Sequence, residues 1–314
     1  MVLKKINFKR IFYLLGLLIL FGIYLGSYAD ITIEELKKDY ADRNSKFIEI
    51  NGVQVHYKDQ GVGFPIVLLH GTAASLHTWN DWTNDLLQKY RVIRLDLPAF
   101  GLTGPHKTDN YSIAAYTSFL HQFMTKIEVP KFYLVGNSLG GNIAWNYAAK
   151  YPNEVEKLVL IDASGLSTNK PQPFIFKIAK TPVLNAAFLF FTPKFLIQKN
   201  LEQVYFNDHK ITDTLVTRYH KLALRTGNRK AFIDRANLSF KPKDSSNIAI
   251  LRGIKTPTLL IWGENDVWIP KENGKKMAHY LPNSTLVILK NTGHVPMEEN
   301  PIESFQALYR FLEN

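Results

Sequence analysis

The sequence predicts an α/β protein: a mostly parallel eight-stranded sheet flanked by helices, with a helical cap inserted after the sixth strand. Three observations predict this. Short apolar runs alternate with amphipathic stretches from about residue 46 to 161 and again from 258 to 312, the pattern of parallel strands joined by helices. Between Ser164 and Leu251 the alternation stops, and aromatic and basic residues take over. Finally, Val135-Gly136-Asn137-Ser138-Leu139-Gly140-Gly141 lies between an apolar run and a helical run, giving a strand, a G-x-S-x-G turn and a helix.

In chain order, Phe47–Ile50 and Val53–Tyr57 alternate around Asn51-Gly52 and predict a β-hairpin. Ile66–Leu69 reads as a buried strand ending in His70-Gly71-Thr72, and Trp79–Lys89 as an amphipathic helix. Val92–Leu95 is the next strand, ending in Asp96-Leu97-Pro98-Ala99-Phe100-Gly101, and Ser112–Lys126 the next helix. Phe132–Val135 leads into the Ser138 turn, Asn142–Lys150 follows as a helix stopped by Tyr151-Pro152, and Leu158–Ile161 is another strand. After the cap, at about 164–251, come a strand at Thr258–Trp262, a helix near Lys271–Tyr280, a strand at Thr285–Leu289 and a helix at Ile302–Leu312. Inside the cap only stretches such as Thr214–Leu224 show helical spacing.

The N-terminus is organised differently. Ile11 to Ala29 carries no charge and follows Lys4, Lys5, Lys9 and Arg10. A run of that length just crosses a hydrocarbon core as a helix, and the preceding positive charges would keep its start in the cytoplasm. The sequence therefore predicts a membrane anchor over 1–29 with the rest of the chain non-cytoplasmic. The alternative is a signal cleaved after Ser27-Tyr28-Ala29, leaving a secreted or periplasmic protein. Residues 30–45, with Ile33, Leu36 and Tyr40 at helical spacing, predict a linker helix. The net charge is +11, and residues 165–250 alone hold 14 Lys and Arg against 5 Asp and Glu. With no nucleic-acid motif beside an apolar segment, this charge points to a membrane surface rather than nucleic acid. There is no cysteine, which excludes disulfides, thiolate catalysis and cysteine-ligated metals.

The Ser138 turn carries the chemistry. Gly136 and Gly140 let strand and helix backbones approach closely, and Ser138 is expected in a strained conformation with its hydroxyl exposed. A serine hydroxyl needs a base, and the base an orienting carboxylate. In open α/β sheets such groups gather at the carboxyl ends of strands. Asp266 follows the strand ending at Trp262, and His294 follows the strand ending at Leu289, so the candidate triad is Ser138, Asp266 and His294. Glu264, two residues before Asp266, is the rival carboxylate. An oxyanion needs preorganised N–H donors; the expected ones are the backbone of Leu139 and that of Thr72, with Ala73 as an alternative. His70 and Asp96 are read as residues that brace their loops.

These residues resemble the α/β-hydrolase superfamily, specifically its capped single-domain members, over about residues 46–314. The resemblance rests on His70-Gly71, Asp96 to Gly101, Gly136 to Gly141, Gly263-Glu264-Asn265-Asp266 and Gly293-His294. It implies that Ser138, Asp266 and His294 form the triad. Ala99 stands where the family often has glycine. The N-terminal segment is similar to that of membrane-bound monoacylglycerol lipase-type members.

The expected function is hydrolysis of lipophilic carboxylic esters through an acyl-enzyme, with Phe174, Phe176, Phe188, Phe190, Phe191 and Phe195 offering apolar surface for an acyl chain. The alternatives are the same triad acting on a C–C, amide or lactone bond, or a non-catalytic ligand-binding protein on the same scaffold. An aspartate-nucleophile dehalogenase or epoxide hydrolase is disfavoured by Ser138. No cofactor and no metal is implied.

Overall fold

The structure is a computed structural model that describes residues 27–238 and 244–314, together with Lys9, residues 12–17, Gly22 and Tyr24. Part of the predicted anchor, Ile11 to Ala29, namely positions 11, 18–21, 23, 25 and 26, lies outside the described residues. Among the described residues no helix is long and apolar enough to cross a membrane.

The strands are β1 (Ser45–Ile50), β2 (Val53–Gln60), β3 (Phe64–Leu69), β4 (Tyr90–Leu95), β5 (Phe132–Asn137), β6 (Val155–Ile161), β7 (Thr258–Gly263) and β8 (Ser284–Leu289). They form one eight-stranded sheet in the order β1-β2-β4-β3-β5-β6-β7-β8. β1 pairs antiparallel with β2, and β2 with β4. Every later pairing is parallel. Asn51 and Gly52 turn the first hairpin at φ 51° and 77°, the left-handed values that a two-residue turn demands.

The helices outside the β6–β7 connection are α1 (Ile33–Tyr40), α2 (Asn80–Leu86), α3 (Ile113–Lys126) and α4 (Leu139–Lys150) in the first part of the chain. Between β6 and β7 lie α5 (Phe174–Lys180), α6 (Pro182–Phe188), α7 (Lys194–Val204), α8 (Asp213–Ala223), α9 (Asn228–Asn237) and α10 (Asp244–Gly253). The chain closes with α11 (Lys271–Tyr280), α12 (Pro296–Glu299) and α13 (Pro301–Glu313). Alternate residues of a strand face opposite sides of the sheet. Val67 and Leu69 accordingly join a core with Phe119, Phe123 and Tyr147, while Ile66 and Leu68 join one with Trp79, Trp82 and Leu308. All six residues of β7 are buried, as expected for a parallel strand covered on both faces.

Two expectations change in detail. The helix expected over Trp79–Lys89 is a 3₁₀ turn at Leu76–Trp79 followed by α2, which ends at Leu86 in turns closed by Gln88 N–H to the Asp85 carbonyl and Lys89 N–H to the Leu86 carbonyl. Among the described residues the connection from β6 to β7 holds six α-helices, where the sequence shows helical spacing only in places such as Thr214–Leu224. Pro182 opens α6 and Pro193 precedes α7, so the helices are short and show little periodicity.

The chain before α1 lies along this helical block. Ser27 bridges to Phe191, Tyr28 N–H donates to the Phe190 carbonyl (3.0 Å), and Ile31 N–H to the Leu224 carbonyl (2.8 Å). Arg229 Nη2 donates to the Tyr28 carbonyl (3.0 Å) and to Asp30 Oδ1 (2.6 Å).

Candidate active site

At the end of β5 the chain turns sharply into α4. Ser138 occupies this turn at φ 53° and ψ −110°, outside the regions a side chain adopts easily. A Cβ at Gly136 would run into the Gly140 carbonyl, and one at Gly140 into the Leu69 carbonyl, so both positions require glycine. Ser138 N–H is held by the Ile161 carbonyl of β6 at 2.9 Å. As the first residue of α4, Leu139 has no acceptor within its helix for its N–H, and the positive end of the helix dipole lies there. Gly71 packs against Ser138, and Thr72 and Ser138 line the same cavity.

The loop after β7 brings Asp266 to His294. Asp266 Oδ1 accepts from Trp268 N–H (2.8 Å) and Ile269 N–H (3.0 Å), and Asp266 Oδ2 lies 2.6 Å from His294 Nδ1. This fixes the tautomer: Nδ1–H donates to the carboxylate and Nε2 carries the lone pair. Nε2 is buried and has no hydrogen-bond partner, and among the described residues no hydrogen bond joins it to Ser138. The backbone of His294 is clamped on both sides, its N–H to the Val204 carbonyl at 2.7 Å and its carbonyl to Asn137 Nδ2 at 3.0 Å. Glu264 instead pairs with Lys271 at 2.8 Å, and that hydrogen bond holds its carboxyl below the usual range. The structure thus places Asp266, and not Glu264, against the histidine.

The two bracing residues are where the sequence put them. His70 Nδ1–H donates to the Gly71 carbonyl at 2.7 Å, and its Nε2 accepts from Leu97 N–H at 2.9 Å. Full burial pushes the His70 imidazole below its ordinary value and keeps it neutral. Asp96 accepts from Leu76 N–H at 2.7 Å, from Leu102 N–H at 2.8 Å and from His56 Nδ1 at 2.8 Å. Burial is the largest influence and would raise its carboxyl, but the neighbouring imidazoles, His56 foremost, together hold it below the carboxylate range. Ala99 adopts φ 85°, a conformation that suits the glycine common at this position.

Three functional candidates escaped the sequence reading. Asp162 follows β6, is fully buried, and its ligand atom lies within 4.8 Å of those of Asp266 and His294. Burial pushes its carboxyl well above the usual range, and the neighbouring Asp266 adds to the push. The trio has the donors to hold a cation, but only by giving up the Asp266–His294 hydrogen bond, so acid–base chemistry fits it better. The others are Glu298 and Glu299 of α12. Glu298 accepts from Tyr205 (2.8 Å), Tyr219 (2.9 Å) and Arg218 (3.2 Å); Glu299 accepts from the Phe206, Asn207 and Gly293 N–H groups (2.9, 2.7 and 2.5 Å).

Two cavities open beside the serine. One, of about 1060 Å³ with its mouth, is lined by Ser138, Asn142, Gln172 and Lys180. The other, of about 670 Å³, is mostly apolar and lined by Phe100, Ile175, Phe188, Ile197 and Phe232. Thr72, Phe176 and Trp268 belong to both walls. Of the six phenylalanines expected to meet an acyl chain, only Phe176 and Phe188 line these cavities. Phe190, in the turn after α6, is 70% exposed, and Phe195, on an outward face of α7, is 57% exposed.

Residues 65–301 match the model of the α/β-hydrolase fold family, and the chain belongs to that family. Among relatives, the hydrolase YugF of Bacillus subtilis (strain 168) is 30% identical, over 80% of this chain and 92% of its own. The 2-hydroxy-6-oxononadienedioate/2-hydroxy-6-oxononatrienedioate hydrolase of Comamonas testosteroni is 28% identical, over 86% of this chain and 96% of its own. Among solved structures, a membrane phospholipase A described as a bacterial virulence factor superposes with a TM-score of 0.70 at 25% identity, covering 97% of this chain and 98% of the phospholipase.

Proposed function

We propose that this hydrolase is a serine esterase of lipophilic carboxylic esters. The observation that carries this reading is a buried imidazole, fixed on Nδ1 by Asp266 and without a partner on Nε2 among the described residues, at the same end of the sheet where β5 presents Ser138 in a strained turn. Ser138 Oγ attacks the ester carbonyl while His294 Nε2 takes its proton. The Leu139 and Thr72 N–H groups receive the oxyanion, and Asp266 stabilises the imidazolium that forms. His294 then returns the proton to the leaving alcohol, and a water activated by the same base releases the acid. The apolar cavity receives the acyl chain, and the helices between β6 and β7 act as its cap.

A second reading is favoured by the Comamonas relative. A 2-hydroxy-6-oxo acid contains no ester, so its hydrolysis must break a C–C bond, and the same triad could serve it. Turnover of nitrophenyl esters and monoacylglycerols of graded chain length, beside a 2-hydroxy-6-oxo dienoate, separates the two. Activity on the dienoate alone would overturn the esterase reading. Fluorophosphonate labelling tests for the third possibility, a binding protein without catalysis.

Residues 1–29 are proposed as a retained membrane anchor, with α1 as its linker and the catalytic domain non-cytoplasmic. Docking of Ser27 and Tyr28 on the helical block supports retention, since cleavage after Ala29 would remove the Tyr28 carbonyl from Arg229. A match to a membrane phospholipase over 97% of the chain points the same way. N-terminal sequencing of the mature protein decides it: a start at Asp30 would mean a secreted or periplasmic enzyme.

A further inference from the structure

Two buried carboxyls face each other beside His294, and their hydrogen-bond partners differ. Asp266 takes two backbone N–H groups on one oxygen and the imidazole on the other, so both its oxygens are met by donors. Asp162 takes a single N–H, from Gly263 at 2.9 Å, on Oδ1, while Oδ2 is buried with no donor directed at it. Among the described residues Glu299 also faces the pair, and its carboxyl oxygens accept three backbone N–H groups. Two buried carboxyls with oxygens within 4.8 Å of each other do not readily both ionise, so they share one proton. The chain also holds Asp162 in place at φ 43°, with its N–H on the Ile261 carbonyl at 3.0 Å.

We infer that Asp162 is a positioning residue for the triad: it keeps its proton at neutral pH and donates that hydrogen to Asp266, so that a single negative charge faces His294. The O–H satisfies an Asp266 lone pair that the imidazole leaves free and moderates the pull of the carboxylate on the proton that His294 gains during turnover. Asp162 touches no substrate and acts through Asp266. This role rests on the triad assigned above.

The test compares Asp162→Asn with Asp162→Leu. The amide of D162N still accepts from Gly263 N–H and still donates to Asp266, with no change of charge. Its acid limb of kcat/KM against pH should therefore stay at the wild-type position. D162L removes the donor, and its limb should move up by about one pH unit. A downward shift of about one unit or more in D162N would mean that Asp162 is ionised, and would overturn the proposal. So would unmoved limbs in both variants, the mark of a packing role alone.

Infrared difference spectra cover the case in which D162L fails to fold. Wild type at neutral pH should show the carbonyl stretch of a protonated carboxylic acid, and D162N should lack it; identical spectra would overturn the proposal. Ser138→Ala separates the two failures. Full activity in S138A sinks the triad but leaves the infrared band standing. A missing band alongside an inactive S138A sinks only the role of Asp162.

Discussion

The indole of Trp268 lies 5.3 Å from the imidazole of His294, tilted by 40°, and the same indole walls both cavities. Its backbone N–H is also one of the two that hold Asp266. One residue thus orients the carboxylate through its main chain and confines the imidazole with its ring. Trp268→Ala keeps the main-chain bond and loses the ring. It should lower kcat/KM about tenfold or more through misplacement of the base, with Trp268→Phe falling between it and wild type. Steady-state kinetics on a soluble short-chain ester read this out; wild-type rates in W268A would refute a confining role.

Ser138→Ala and Ser138→Gly should both abolish fluorophosphonate labelling and lower esterase activity by about 10³-fold or more, leaving a residue of catalysis from oxyanion donors and binding. They should differ in stability. Glycine tolerates φ 53°, ψ −110° where alanine does not, so S138G should be about 1 kcal/mol more stable than S138A in denaturant melts. Equal stability would mean that the turn stores no strain.

Asp266→Asn should cost about 10²- to 10⁴-fold in kcat, by losing the tautomer and the charge that support His294. Glu264→Gln should stay within about twofold, since its partner Lys271 lies outside the site. A larger loss at Glu264 would reverse the assignment.

Stability should fall on the acid side. Burial lowers both His70 and His77, the latter to about 4 from an ordinary 6.5. The unfolded chain therefore binds more protons than the folded one as pH drops from about 6.5 to about 4, and stability is lost through that window. Asp96, held low by His56 against the effect of burial, adds a further loss below the ordinary carboxylate range. Melting temperatures measured from about pH 7 down to about pH 3 should decline through both windows, and a flat profile would contradict this.

Most of the sheet was legible because buried parallel strands are short apolar runs, as in Ile66–Leu69 and Thr258–Trp262. His294 and Asp266 could be picked out because each directly follows such a run. The same rule reaches Asp162, which follows β6, but Asp266 and His294 already supply the one acid and one base a triad needs. The helical block was poorly legible for a physical reason: α5 and α6 are each seven residues long, too short to display a period. The exposure of Phe190 and Phe195 could not be read either, since an aromatic in a turn or near a helix start carries no sign of the side it faces. Glu298 and Glu299 are ordinary charged residues at a helix start, and only the folded chain reveals their partners.

Glu298 and Glu299 bind the loop of His294 to the far end of the helical block, through Tyr205, Phe206, Asn207, Arg218 and Tyr219, and the His294 N–H adds the Val204 carbonyl. The base and that edge of the block therefore form one rigid corner. If the proposed cap opens to admit a substrate, this corner would be its fixed side, leaving α5 and the Gln172 segment before it as the parts free to travel.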